Sequence, residues 1–408
     1  MRTKISSLFV AGLIAVSSAL AANLFEVTAT DGFTTQTFSN SNVLDLIKTT
    51  IQDTTLIFPV GITTADLTFL GVPKAISYNL NPAGTSSTLT IPSIGFTRTF
   101  TGANRAAVYS AMQDFLKTDG SGVLARFLKE MAKQSPVAVT DGNPNASTAV
   151  AANGIFMSEG FTPADQLSFE GNAPRPNFGG FGIGFNSGRF AAKVAGGTLS
   201  GEFAELGLTW FNLGLGDRVR LLAPFSASYL TIDNTAVYGV GQSLSLPIRI
   251  LIMDKTNPWN WRLTPVAGIS ARASIDALSG AVIWHAGLVN SIDYRVNHRL
   301  IVCLVDQLTT HQGLPVKYGD YSFDSEVDQL IAKNGLRLVT PLTKRLIGDL
   351  YFIDTRFLNA AAVKQFETVG ASISLRATKK YKLSLAANYD FGNNYKAYSV
   401  GLTSAWNW

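Results

Sequence analysis

The stretch that decides the fold is the last in the chain, Tyr398-Ser-Val-Gly-Leu-Thr-Ser-Ala-Trp-Asn-Trp408. Successive side chains of a β-strand point to opposite faces, so this alternation predicts a strand with one apolar face and one face of small polar residues. A strand of a water-soluble sheet rarely ends on two apolar-face tryptophans. The apolar face carries Tyr398, Val400, Leu402, Trp406 and Trp408, with Ser404 as its one polar member.

The same period of two residues extends upstream over residues 178–408. Several alternating segments run ten residues or more, whereas strands of globular proteins average about five or six and membrane-spanning strands need about nine to eleven. Backbone groups in lipid must pair with one another, so such strands have to close into a barrel. About twelve strands are expected, within a range of ten to fourteen. They are 178–190, 198–213, 217–231, 235–253, 259–275, 280–296, 299–311, 335–344, 345–357, 364–377, 380–391 and 395–408.

The first residues have the pattern of a secretory signal peptide. Arg2 and Lys4 precede a short apolar run, Leu8 to Val16, and small residues follow in Ala19-Leu20-Ala21. Residues 1–22 are therefore predicted to be removed on export. No later run approaches the roughly 18 apolar residues of a transmembrane helix. The exported chain is thus either soluble or a β-barrel.

A terminal aromatic residue preceded by alternating apolar residues resembles the C-terminal signature of Gram-negative outer-membrane β-barrel proteins. The resemblance covers residues 1–22 and 178–408. It implies an all-β transmembrane antiparallel β-barrel that is surrounded by outer-membrane lipid. It also implies that the barrel-insertion machinery reads Tyr398, Val400, Leu402, Trp406 and Trp408. The class implies transport, surface attachment or, less often, lipid chemistry.

Two further segments lie between the signal peptide and the barrel. Residues 23–135 mix short strand patterns with apolar stripes of helical period, which predicts a smaller α+β domain that acts as plug, cap or passenger. Residues 136–177 hold five prolines among many Gly, Asn, Ser and Thr, which predicts a linker.

Composition supports a membrane barrel and excludes other classes. A charged fraction of 15% with 36 glycines suits a sheet that half faces lipid. The single cysteine, Cys303, rules out an intrachain disulfide. The net charge of +5 comes without a basic run, so no nucleic-acid partner is expected.

Basic residues dominate the polar face of the predicted strands. In a wet lumen this excess would favour anions. Alternatively, the basic residues pair with acidic ones across strands and brace the wall. Both interpretations stay open. The lumen-facing candidates are Arg218, Arg220, Arg249, Arg262, Arg272, Arg295, Arg376, Lys382 and Asp293.

Signals for catalysis are sparse, and no catalytic residue, metal site or cofactor is predicted. None of the motifs of zinc proteases, serine hydrolases or nucleotide-binding loops occurs. His285 shares the polar face with Ser291 and Asp293, which makes a lumen triad conceivable, although a hydrogen-bond network is favoured.

One loop helix is also expected at Phe323–Asn334, where Val327, Leu330 and Ile331 have helical spacing.

Three functions remain from the sequence. The first is a channel or transporter for small polar solutes, with anions as one option, in which residues 23–135 act as plug or periplasmic cap. The second is an autotransporter-like display or adhesion protein with a short N-terminal passenger. The third is a barrel-type enzyme that modifies lipids.

Overall fold

The computed structural model describes residues 22–52, 62–118, 120–160, 180–215, 218–318, 321–323, 327–376 and 381–407. Apart from Ala22, the predicted signal peptide lies outside the described residues. The same holds for Trp408 of the predicted insertion signal and for residues 161–177 of the predicted linker.

The N-terminal domain is an antiparallel sheet with helices packed on one face. Thr and Ser alternate with apolar residues along its strands, so the apolar side chains share a face. Val108 and Phe115 of the second helix pack there against Phe100. The described strands follow the order β2-β1-β3-β4-β5-β6. They are β1 Phe25–Thr30, β2 Thr35–Asn40, β3 Thr64–Phe69, β4 Val72–Leu80, β5 Ser86–Ile91 and β6 Phe96–Thr101, with helices α1 Val43–Gln52, α2 Arg105–Thr118 and α3 Gly120–Gln134.

Long antiparallel strands form the rest of the described chain, after a fourth helix, α4 Ser147–Ile155, and a π-helical turn, Phe156–Gly160. Successive strands of the wall pair with each other, apart from β10 and β11, which both pair with β9 and β12. The short pair β15 and β16 stands outside the wall. The strands are β7 Gly180–Val194, β8 Gly197–Leu215, β9 Val219–Ile232, β10 Thr235–Ser245, β11 Ile248–Leu251, β12 Trp259–Ser274, β13 Ser279–Asn297, β14 Leu300–Leu314, β15 Val316–Tyr318, β16 Tyr321–Phe323, β17 Asp328–Pro341, β18 Leu346–Phe357, β19 Gln365–Arg376, β20 Tyr381–Gly392 and β21 Tyr395–Asn407.

These strands close into an antiparallel barrel of twelve staves within the described residues. Closure comes from pairing of the last strand, β21, with β7 along their length. Strands β10 and β11 lie end to end between β9 and β12 and count as one stave. Pro247 sits at their junction, where it has no N–H to give to the ladder. The predicted fold class and strand number are therefore confirmed.

The outer face of the barrel is apolar and exposed, as the alternation predicts. Leu244, Leu350 and Val400 are each more than half exposed. Aromatic residues border this belt: Tyr381 and Tyr389 lie eight residues apart on β20. At about 3.4 Å per residue and a tilt near 40°, this spacing spans about 21 Å of height, close to the apolar band of outer-membrane barrels. The chain thus has the fold and exterior of an outer-membrane barrel.

One secondary-structure prediction was wrong. The expected loop helix at Phe323–Asn334 is absent from the described residues, and β17 instead begins at Asp328 and pairs with β14 from Gln312 onward. The spacing of Val327, Leu330 and Ile331 fits a helix, but Gln329, Ile331 and Lys333 alternate as buried positions of a strand. Backbone groups of a strand in a membrane-spanning wall must be hydrogen-bonded to a neighbouring strand. This requirement extends the pairing of β17 with β14 into the segment that was expected to be helical. The predicted strand 335–344 therefore begins seven residues late.

The N-terminal domain covers one end of the barrel. This cap end is the one with the connections 195–196, 233–234, 275–278, 315–327, 358–364 and 393–394. The terminal end is the opposite one, where β7 begins and β21 finishes. Leu24, Phe25 and Phe127 of the domain share one apolar core with Phe190 and Tyr395 of the barrel rim. Backbone bonds join them too, for example from Val43 N to the Asp276 carbonyl, 2.9 Å. No helix in the described ranges has the length and apolar character needed to cross a membrane.

Candidate functional site in the barrel lumen

The segment Pro144–Gly160, called the lumen segment below, runs through the barrel from the cap end towards the terminal end. It consists of residues 144–146, α4 and the following π-helical turn. Near the cap end, the Tyr395 hydroxyl donates to Asn145 Oδ1 at 3.0 Å and Arg272 donates to the Asn145 carbonyl. Half-way down, Gln307 Nε2 donates to the Ala152 carbonyl at 2.9 Å.

Contacts at the far end of the lumen segment complete this path. Arg262 Nη2 donates to the carbonyls of Glu159 and Gly160, the latter at 3.1 Å. Helical rise of 1.5 Å per residue takes residues 145–160 down about 22 Å. The ten residues of β12 between Arg262 and Arg272 cover about 33 Å along a strand tilted near 40°, or about 25 Å of height. The two estimates agree, so one helix crosses most of the membrane-spanning wall.

This finding changes the interpretation of the predicted linker. Residues 136–160 have defined structure, and among the described residues the lumen segment, rather than residues 23–135, lies inside the barrel. Small residues at 146–154 let the helix fit inside the barrel. The boundaries of the four predicted segments otherwise stay predictions.

The chain enters the lumen through a tight, buried turn at Asp141. Its Oδ1 accepts hydrogen bonds from Gly142 N (2.7 Å) and Thr148 Oγ1 (2.8 Å), and Gln329 Nε2 lies 3.4 Å from Oδ2. Gly142 has φ +80°, and a Cβ there would lie 2.0 Å from the Ala132 carbonyl oxygen, so only glycine fits. Burial raises the pKa of Asp141 to about 6, although the hydrogen bonds act in the opposite direction.

One half of the wall grips the lumen segment. This clamp half comprises β12, β13, β14, β17 and β18. Ile155 and Phe156 pack against its inward side chains, and Lys333 Nζ lies 5.4 Å from the Phe156 ring centroid. A Cβ on Gly160 would approach Val305 Cγ1 to 2.7 Å, which shows how closely the segment follows β14. The inward residues in this contact are Val266, Val289, Val305, Tyr351 and Ile353.

The other half of the wall leaves a cavity beside the lumen segment. This open half comprises β7 to β11 and β19 to β21. Its inward residues are mostly Gly, Ser, Ala and Thr, and they border a cavity of about 610 Å³ that also touches Gly154 and Met157 of the lumen segment. A Cβ on Gly207 would meet nothing within 4 Å. Small residues that line it include Gly182, Gly184, Gly207, Ser226, Ser228, Gly239, Gly241, Ser372, Ser374, Ser384, Gly401 and Thr403.

The predicted lumen-facing basic residues divide into three groups. Arg249, Arg262 and Arg272 are buried inside the barrel. Lys382 lines the cavity, and Arg220 is half-buried. The remaining three lie near the terminal end: Arg218 is exposed and donates to the Ile250 carbonyl, Arg295 donates to the Asp254 carbonyl, and Arg376 is exposed.

Acidic side chains accompany some of these groups. Asp293 is fully buried and accepts from Asn260 Nδ2 at 2.6 Å. Arg337, which the sequence interpretation did not include, forms a buried ion pair with Asp349 at 2.7 Å, and Ser372 Oγ donates to the same carboxylate. Cross-strand bracing therefore occurs, but Arg262 and Arg272 hold the lumen segment, which sequence patterns could not reveal.

The conceivable triad of His285, Ser291 and Asp293 does not form. His285 Nε2 instead lies 2.9 Å from Ser243 Oγ on β10, and its ring is 5.7 Å from that of His311. Six residues separate His285 from Ser291 along one strand, about 20 Å, which keeps them apart. Among the described residues no group of three or more His, Cys, Asp or Glu is arranged to hold a metal ion.

The predicted insertion signal lies on the outer surface of the last strand. Tyr398, Val400, Leu402 and Trp406 are each about half exposed and point outward from the barrel. Trp406 contacts Tyr381 of β20, with ring centroids 5.8 Å apart, at the terminal end of the belt. Recognition of this segment by an insertion machinery stays a prediction.

Comparisons with known proteins bear on the barrel alone. No family model and no curated protein sequence matches this chain. Among solved structures, the chain is similar to the translocator domain of autotransporter NalP from Neisseria meningitidis, with 14% identity, TM-score 0.37, and coverage of 56% of this chain and 88% of that one. It is also similar to the COG4313 outer membrane channel from Pseudomonas putida F1, with 15% identity, TM-score 0.44, and coverage of 61% and 100%.

A third similar structure is the toluene transporter TodX of Pseudomonas putida, with 9% identity, TM-score 0.33, and coverage of 57% of this chain and 91% of that one. At these identities and scores the likeness concerns the barrel fold and carries no information on activity.

Proposed function

We propose that this outer-membrane barrel displays its N-terminal domain on the cell surface, with the lumen segment as the connection through the wall. One observation carries the proposal. The domain caps the end of the barrel opposite to the start of β7 and the finish of β21, and the lumen segment leads from the domain back towards that terminal end. A domain that plugged the barrel from the side where β7 begins would not need to cross the lumen.

The orientation follows from the connections between strands. In outer-membrane barrels, short turns face the periplasm and longer loops face outward. The longest connection, residues 315–327, is at the cap end. The two connections of seven residues lie one at each end, 358–364 at the cap end and 252–258 at the terminal end. The proposed insertion signal finishes at the terminal end, where a periplasmic machinery would reach it. Both features favour a cap end that faces the exterior. Export by way of residues 1–22 is part of this proposal.

Labelling of single cysteines on intact cells tests the orientation. Phe33, at the tip of the β1–β2 hairpin, is 92% exposed, and Lys344 lies in an exposed connection at the terminal end. The native Cys303 is fully buried and provides an unreactive background. With a membrane-impermeant maleimide, we expect F33C to react on intact cells and K344C to react only after the outer membrane is permeabilised.

The reverse pattern would overturn display. Labelling of K344C on intact cells, with F33C protected, would put the domain in the periplasm and support the role of periplasmic cap. Tryptic release of the N-terminal domain from intact cells, with Lys133 as the last cleavage site before the lumen segment, provides an independent measurement of the same point.

A solute channel is the second candidate, and the cavity beside the lumen segment favours it. The cavity is bordered by small polar side chains and by charged residues of both signs, among them Glu205, Lys382 and Asp390. We expect the purified protein to conduct ions in planar bilayers, and G207W to reduce the conductance at least twofold because Gly207 faces open space. Equal conductance of both proteins would remove this candidate route.

A further inference from the structure

A row of three polar side chains, called the polar row below, crosses the outer face of the clamp half. Asn290 on β13, Asp306 on β14 and Asn334 on β17 are direct partners in the strand register. The residues next to them in the chain, Val305 and Lys333 among them, are buried inside the barrel. Alternation therefore places the three polar side chains outside, and Asp306 and Asn334 are exposed there.

The polar row lies inside the apolar belt rather than at its border. Asp306 and Asn334 are each near the middle of their strands. Leu304 and Leu308 flank Asp306 on β14, and each is about half exposed. Ionisable side chains that face the hydrocarbon of a membrane are rare and costly, and they usually pair with other groups. The polar row is therefore better suited to contact with protein than to contact with lipid.

Hydrogen bonds within the described chain satisfy the polar row only in part. Trp261 Nε1 donates to Asn290 Oδ1 at 2.8 Å, and Asn290 Nδ2 donates to Asp306 Oδ2 at the longer distance of 3.3 Å. A carboxyl group can accept several hydrogen bonds, and a carboxamide group can both donate and accept. Hydrocarbon offers no such bonds, so a polar partner at Asp306 and Asn334 would stabilise the wall.

Outward polar side chains on the same register line pair with each other nearer the cap end. Asp354, three residues from the end of β18, is the register partner of Asn334. Its carboxylate accepts from Arg356 Nε and from Gln365 Nε2, both at 2.8 Å, and Gln365 Nε2 also donates to Glu367 Oε1 at 2.9 Å. The polar row in the middle of the belt lacks such a dense network among the described residues.

We propose that Asp306 and Asn334 form the centre of an interface with a second copy of this chain in the plane of the membrane. Two barrels in one membrane have the same orientation, so a closed pair is related by a two-fold axis along the membrane normal. With that axis between β14 and β17, Asp306 of each copy faces Asn334 of the partner subunit. The carboxyl group accepts and the carboxamide donates, which makes this adjacent pair complementary to itself.

The surroundings of the pair suit such an interface. Leu304, Leu308 and Leu336 are exposed around it and would pack against the same surface of the second copy. In membranes, close packing and hydrogen bonds between polar side chains hold spanning elements together. This interface goes beyond display of the N-terminal domain, and it does not depend on which end of the barrel faces outward.

Disulfide cross-linking of single cysteines in isolated outer membranes tests the interface. Leu336 follows Asn334 on the outer face of β17, whereas Leu385 is comparably exposed on β20 in the open half. The native Cys303 is fully buried and should not react. With a mild oxidant, we expect L336C to form at least tenfold more disulfide-linked dimer than the matched control L385C. Equal cross-linking of both variants, or a product of L336C with a different protein only, would overturn the proposal.

An exchange of the two side chains tests the pairing itself. Sedimentation of the full-length protein in detergent gives the dissociation constant of the dimer, and heat-dependent mobility on gels checks that each variant is folded. Asn334→Asp places carboxyl groups opposite each other, so we expect N334D to dimerise at least tenfold more weakly than the wild type. The double variant D306N/N334D exchanges donor and acceptor and should return to within threefold of the wild type.

Three results of this measurement would contradict the interface. They are a wild-type protein that is monomeric at every detergent concentration, an N334D variant that dimerises like the wild type, and a folded double variant that stays as weak as N334D. None of these results affects the labelling test of display, and that test leaves the interface untouched.

Discussion

In both the clamp half and the open half of the barrel wall, side chains alternate between the inside and the outside of the barrel. Only the clamp half packs closely against the lumen segment. In the clamp half, Val289, Val305 and Ile353 point inward and contact Ile155 and Phe156. In the open half, inward positions are mostly glycine, serine, alanine and threonine, and a cavity replaces the contact. The two halves therefore differ in the size of the side chains at their inward-facing positions.

The two halves of the sheet therefore have different roles: one holds the helix in place, and the other keeps space open beside it. Buried aliphatic and aromatic contacts fix the helix against β12 to β18, since each buried large side chain contributes about 1.5–3 kcal/mol. Small polar residues on the other side keep space that water can occupy. A lumen filled evenly on all sides would hold its segment more firmly and leave no route past it.

The largest expected effect comes from removal of the main clamp contact. Phe156→Ala deletes a fully buried aromatic ring, a change that costs about 3–5 kcal/mol in protein cores. Met157→Ala is the matched control because its side chain faces the cavity. Hydrogen exchange of residues 147–160 should accelerate at least a hundredfold in F156A and less than fivefold in M157A. Equal acceleration in both variants would show that the two halves hold the helix alike.

The entry turn gives the next effect, through pH. Asp141 contacts Gln329 at the cap end of the clamp half. Burial raises the pKa of Asp141 to about 6 from the ordinary 3.8. Because the folded protein favours the protonated form, the turn is most stable below about pH 4. It loses stability as the pH rises through 6. The difference of about two pH units corresponds to about 3 kcal/mol.

Asp141→Asn should remove that pH dependence, since the amide keeps an acceptor for Gly142 and Thr148 without a charge. The measurement is urea unfolding in lipid vesicles at pH 4 and pH 7.5 for both proteins. We expect D141N to be the more stable protein at pH 7.5, with the difference vanishing at pH 4. Asp328, whose charge repels that of Asp141, is present in both proteins. A constant difference at both pH values would contradict the prediction.

Two glycines at inward-facing positions, one in each half of the wall, allow a direct comparison with a smaller expected effect on stability. A Cβ on Gly287, in the clamp half, would lie 2.4 Å from the Leu308 carbonyl oxygen, whereas one on Gly207, in the open half, would touch nothing within 4 Å. Overpacking of this kind costs about 1–3 kcal/mol, so G287A should unfold at lower urea than the wild type. G207A should stay within about 0.5 kcal/mol. Similar losses in both variants would remove the distinction between the halves.

The sequence predicted the wall well because period and strand length are local properties. Eleven of the predicted strands begin and end within a few residues of those observed, and the exception, 335–344, lies where Leu330 and Ile331 also fit a helical stripe. There the competing signal was decided by pairing with β14, which no local pattern records. The strand that decided the interpretation, Tyr395–Asn407, was correctly placed.

The lumen was predicted poorly because its contacts join distant parts of the chain. The Arg262 contact with Glu159 spans 103 residues, and the Tyr395 contact with Asn145 spans 250. Residues 146–154 consist of small residues with little apolar period, so they resembled a linker. A polar strand face rich in arginine indicates a lumen, but only the fold shows what meets each arginine.

The smallest expected effect concerns the place where the two halves meet. Ser243 on β10 of the open half lies 2.9 Å from His285 on β13 of the clamp half, and both border the cavity. Ser243→Ala removes this hydrogen bond, which contributes about 0.5–1.5 kcal/mol when nothing replaces it. If water fills the cavity, a water molecule can replace the Ser243 hydroxyl as the hydrogen-bond partner of His285 Nε2 at little cost. We therefore expect the free energy of unfolding, measured in urea, to fall by less than about 0.5 kcal/mol. A loss above about 2 kcal/mol would indicate a dry, unsatisfied histidine and would mean that the open half is closed to solvent.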